Sequence, residues 1–169
     1  MTFLKPLSRR QALAALAGAA SLAAFPARAA VGSLRAISVD ASAIARHGAP
    51  GYARIVERQL AASLARTFAD RLDPRDRNAP ALVARIDSVY LSDYAGGNRG
   101  RYGAASSGDN DYIDGVGVLL GGGAQGTYPI LSVLDASSTG PWHAPDVDSR
   151  RLAALSDHFA WWLRRKMGI

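Results

Sequence analysis

The 169-residue sequence predicts an α+β fold, a two-layer sandwich in the order β-α-β-β-β-α with a mostly antiparallel sheet and two helices on one face. Two amphipathic helical stripes and three consecutive strand patterns carry that prediction. Three strands in a row read as an antiparallel meander, and two one-sided helices need one sheet face to cover.

Residues 34–40 open the domain as a strand, with Ile37 and Val39 alternating against Ser38. The cluster His47-Gly48-Ala49-Pro50-Gly51 breaks the chain. Residues 52–72 then read as a long helix. Tyr52, Val56, Leu60, Leu64 and Phe68 recur every four residues, Ile55 and Leu72 lie beside that stripe, and Arg54, Glu57, Arg58 and Arg66 fall mostly opposite. Asp73-Pro74 stops it.

Residues 81–93 read as the second strand, with Leu82, Ala84, Ile86, Ser88 and Tyr90 on one face and Arg85 and Asp87 on the other. The segment 94–111 is rich in Gly, Ser and Asn and lacks periodicity, which predicts a long loop. Strands follow at 112–120 and 127–136, joined by a turn at Gly121-Gly122-Gly123. Pro129 has no amide to donate, which places its strand at an edge or Pro129 near the strand start. A last helix runs over 150–167, capped by Asp148 or Ser149 and closed by Gly168. Leu152, Leu155, Phe159, Trp162 and Leu163 form its apolar face, and Trp161 is expected at the surface.

The first 29 residues read as a cleavable export signal. Ser8-Arg9-Arg10-Gln11-Ala12-Leu13 precedes a mildly apolar, alanine-rich run, and Ala27-Arg28-Ala29 supplies a small-x-small cleavage site. The adjacent arginines resemble a twin-arginine signal, although Ala12 and Ala14 stand where that pattern has an aromatic and a lysine. The run from Gln11 to Phe25 is shorter than the ~20 residues that cross a bilayer. The sequence has no cysteine, so neither a lipid anchor on cysteine nor a disulfide can form. Export therefore implies a periplasmic protein, with a single domain over residues 30–169.

Net charge narrows the partners. The +6 of the whole chain includes Lys5, Arg9, Arg10 and Arg28 of the signal, where no acid offsets them. Without those four, 16 basic residues face 14 acidic ones, and a nucleic-acid partner loses its electrostatic motive. The expected partner is an envelope protein, lipid or glycan, with peripheral outer-membrane association and a homo-oligomer as further options.

Candidate contact residues lie in the two polar segments. Arg99, Arg101 and Tyr102 pair cations with a stacking ring, and Trp142 and His143 sit in a second loop over 137–148. That second loop also supplies the alternative of a small serine-type hydrolase, with Ser137 or Ser138 as nucleophile beside His143 and Asp146. Sequence neighbours seldom converge into such a set, and no Gly-x-Ser-x-Gly elbow is present. The run from Asp109 to Gly115 fails the calcium-loop spacing and reads as a polar turn entering a strand. Gly115, Gly117 and Gly121 miss the dinucleotide spacing and read as close backbone approach. His47, His143 and His158 are isolated, which argues against a metal site, and no cofactor is expected.

Element order together with the export signal resembles small α+β proteins of the Gram-negative envelope: the lipopolysaccharide-assembly lipoproteins, the penicillin-binding-protein activators and the periplasmic part of curli-secretion lipoproteins. The resemblance spans about residues 34–167 and implies a non-enzymatic accessory role. It transfers no residue role, and the missing lipobox cysteine is a departure that implies a soluble form.

Overall fold

A computed structural model describes residues 32–92, 110–123, 125–136 and 144–169. The elements are β1 (Ala36–Asp40), α1 (Ser42–Arg46), α2 (Pro50–Thr67), β2 (Ala81–Tyr90), β3 (Asn110–Leu120), β4 (Gly126–Asp135) and α3 (Val147–Met167). The class is α+β. Among the described residues four strands lie in the order β1-β2-β3-β4, with β2, β3 and β4 antiparallel and β1 parallel to β2. The helices α2 and α3 pack side by side on one face.

The core forms where the two helix stripes meet the sheet. Val56, Leu60, Leu64 and Phe68 of α2 and Leu155, Phe159 and Leu163 of α3 are fully buried over Leu82, Ile86, Ile113 and Ile130. Gly117 of β3 lies directly under α3, since a Cβ there would come within 2.4 Å of Leu163 Cδ1. At the β3–β4 turn, Gly122 has φ +65°, and a Cβ would strike the Asn78 carbonyl at 2.4 Å.

Several boundaries differ from the sequence reading. The short helix α1 was not expected; it buries only Ile44, too little for a periodic signal. Helix α2 starts at Pro50, whose missing amide suits a first helical position, rather than at Tyr52. It ends at Thr67 rather than Leu72. Past that end, Leu72 pairs with Leu34 in an isolated parallel bridge, so the first strand is split and begins again at Ala36. Helix α3 begins at Val147, preceded by Asp146, not at Arg150 behind Asp148 or Ser149.

The expected face of β2 is corrected by a bulge. Leu82, Ala84 and Ile86 point into the core, but the register shifts between Ile86 and Ser88. An extra residue inverts the alternation beyond it. Val89 therefore packs on the core, while Tyr90 is 44% exposed and stacks on Tyr112 at 5.4 Å. Pro129 does lie on an edge strand, β4.

Candidate functional site

Both polar segments leave the domain at one end of the sheet. Residues 93–109 join the end of β2 to the start of β3, and residues 137–143 run between β4 and α3. Tyr90 pairs with Tyr112 and Asn110 with Asp135, so these stems are neighbours. Arg99, Arg101, Tyr102, Trp142 and His143 lie outside the described residues, as do Ser137 and Ser138. Asp146 is described; it is exposed and sits 3.6 Å from Arg150.

Below the stems is a buried clamp. Arg151 reaches from the first turns of α3, its Nε donating to Asp111 Oδ2 at 2.7 Å and its Nη2 to Asp111 Oδ1. The same Nη2 donates to the Ser92 carbonyl at 2.8 Å and to Ser92 Oγ at 3.0 Å. Ser92 N–H in turn donates to Asp111 Oδ1 at 2.9 Å. The Arg151 and Asp111 side chains are 3% and 2% exposed. Asp148, at the surface, accepts from Arg151 Nη1 at 3.2 Å. One guanidinium thus joins the end of β2, the start of β3 and the start of α3. The planar fork suits this use, because it fills several acceptors at fixed angles.

The electrostatics follow from that geometry. The Asp111 hydrogen bond raises the Arg151 pKa above its ordinary value, so the cation is locked on. Burial raises the Tyr52 hydroxyl pKa, and the charges of Asp148 and Asp111 push it the same way. The arrangement can hold backbone in place, and its charges are already matched. Sequence reasoning missed it: the run from Asp109 to Gly115 read as a polar turn, whereas Asp111 belongs to β3 and faces inward with Ile113. The inward-outward alternation of β3, extended two residues upstream of Tyr112, carries the signal.

A second polar group joins β4 to α3. Trp162 Nε1–H donates to His158 Nε2 at 2.9 Å. An indole nitrogen can only donate, so Nε2 carries the lone pair and the neutral ring holds its proton on Nδ1. Nδ1–H then donates to Ser132 Oγ at 3.0 Å, and the Ser132 hydroxyl donates to the Leu155 carbonyl at 3.3 Å. A catalytic serine–histidine pair runs the other way, with the ring accepting the serine proton. Desolvation lowers the His158 pKa. Trp161, 47% exposed, packs edge-on against Trp162 at 4.8 Å, with the Arg165 guanidinium 5.3 Å from its ring centre. The pairing of His158 with Trp162 four residues on was readable as helix neighbours; that of His158 with Ser132 needed the fold.

Asp40, Ser42, Arg46, Arg85 and Asp87 line a shallow polar recess beside α1. The Ser42 backbone amide, then its side chain, holds the Asp40 carboxyl below the usual range, with Arg85 and Arg46 adding to the effect. Among the described residues, no three His, Cys, Asp or Glu side chains are grouped to hold a metal ion, and no helix is long and apolar enough to cross a membrane. Comparison with protein-family models, with curated proteins and with solved structures gives no match.

Proposed function

We propose that this chain is an exported, periplasmic, non-enzymatic accessory protein of the cell envelope, which binds a protein or an envelope glycan or lipid through the polar segments 94–109 and 137–143, which lie within 94–111 and 137–148 and outside β3 and α3. The observation that carries the reading is the Arg151–Asp111–Ser92 clamp. Desolvating two charges is costly, and an apolar trio of similar shape would stabilise the fold as well or better. Its position beside the stems gives the charge pair a purpose: it fixes where the first polar segment leaves and rejoins the scaffold and where the second one rejoins it. Loops on a fixed scaffold are where binding residues concentrate. The twin-arginine-like leader supplies the compartment.

The test is capture from solubilised envelope with the full chain as bait, comparing wild type with Arg99→Ala, Arg101→Ala and Trp142→Ala. The reading expects each change to reduce recovery of a discrete partner while the melting temperature stays nearly constant. A large drop in melting temperature would make these side chains structural and remove them from the binding surface.

A further inference from the structure

We propose that the sheet face not covered by helices packs against the same face of a second copy of this chain, giving a dimer with α-β-β-α layering. Among the described residues the helices occupy one face only. On the other face Leu131 is 61% exposed, Leu120 51%, Tyr90 44% and Val133 41%. Strand β3 turns Tyr112, Val116, Val118 and Leu120 outward, with Asp114 its one outward charge. A sheet face that meets water normally carries polar residues at alternate positions. This one is apolar along most of β3 and at Leu131 and Val133 of β4, with Arg85, Asp114 and Asp135 set among those side chains, so its apolar part is suited to being covered.

The size of the face fits another sheet. Three strands of 10, 11 and 10 residues and one of 5, spaced about 4.8 Å, project to roughly 550 Å² per copy. Two such faces approach the ~1,200 Å² at which stable, specific interfaces begin, and protruding side chains add to the projected area. A single helix, about 10 Å across, would leave about half of a face about 19 Å wide in water.

The face is also complementary to itself. Val116 pairs across β2–β3 with Arg85, and Asp114 pairs with Ser88. A two-fold axis between the sheets, perpendicular to the strands and passing between those two rows, gives the aligned class of sheet packing. It lays Val118 over the partner's Tyr112, Val83 over the partner's Tyr90 and Pro129 over the partner's Leu131. It also brings Arg85 beside the partner's Asp114. Within one chain neither Arg85 nor Asp114 forms an ion pair among the described residues. The two-fold gives Asp114 a cation and gives Arg85 a second carboxylate besides Asp40, its neighbour across β1–β2, and does so twice.

Sedimentation equilibrium of the full chain tests this. The wild type is expected to dimerise. L131K/V133K, changed only at exposed positions, is expected to be monomeric with an unaltered circular dichroism spectrum. R85D and D114R should each weaken the dimer at least tenfold in Kd, about 1.4 kcal/mol, and the double exchange R85D/D114R should recover most of that loss. A wild-type monomer at about 100 µM would overturn the proposal, as would a folded L131K/V133K that still dimerises through a strand edge, a helix or the leader.

Discussion

At the scale of single residues, the clamp makes the sharpest prediction. Asp111→Asn or Arg151→Met alone strands a buried charge and should cost about 3–5 kcal/mol in urea unfolding. Combining Asp111→Asn with Arg151→Met should cost clearly less than the sum, because each change then removes what the other left unpaired. Additive losses would show that the two groups act through separate contacts. His158 gives a prediction in pH. Its folded pKa lies below the unfolded value of about 6.5, so the folded state binds fewer protons across that interval. Stability is therefore full above about pH 6.5 and falls as pH drops toward the folded pKa. Protonating Nε2 also removes the acceptor for Trp162 N–H, so indole fluorescence should change over the same interval. His158→Gln should flatten that component. The aspartates Asp40, Asp70 and Asp76 have lowered pKa values, so their contribution is present above the unfolded carboxylate range and is lost at lower pH, in a separate window.

Among the elements, close approach of α3 to β3 depends on Gly117. Gly117→Ala must push Leu163 aside and should destabilise by about 1–3 kcal/mol. Leu163→Ala removes the obstacle, so the double variant should lose less than the two single losses together. Helix stripes were the most legible part of the chain, because four-residue spacing of Val56, Leu60, Leu64 and Phe68 has one geometric explanation. The bulge in β2 was not legible. Its one extra residue leaves a sequence that still alternates on paper, and only the pairing of Ser88 with Asp114 shows where the faces swap. The parallel pairing of β1 with β2 was likewise silent, since strand direction is set by the α1–α2 connection and not by side-chain pattern. Helix α1 has five residues and one buried side chain, fewer than periodicity requires. For the site, the polar segments were legible from composition, but the clamp beneath them was not. Ser92, Asp111 and Arg151 are up to 59 residues apart and meet only after folding.

For the whole molecule, three features combine in the proposal: a leader proposed to direct export, a helix-backed sheet, and two polar segments, three of whose four stems meet at one buried arginine. The scaffold shows no arrangement among its described residues that moves a proton from serine to histidine, since His158 donates to Ser132. It does tie both roots of the first segment to the α3 root of the second. If those segments carry binding, removing one of them above the clamp should abolish binding and leave the fold intact.

The most direct measurement is a parallel capture from solubilised envelope with the full chain and with a variant lacking residues 95–108, each followed by mass spectrometry of protein and lipid and by thermal unfolding. A discrete partner retained by the full chain and lost by the deletion, with near-equal unfolding midpoints, is the expected result. The same partner on both baits, or no partner on a well-folded full chain, would contradict it.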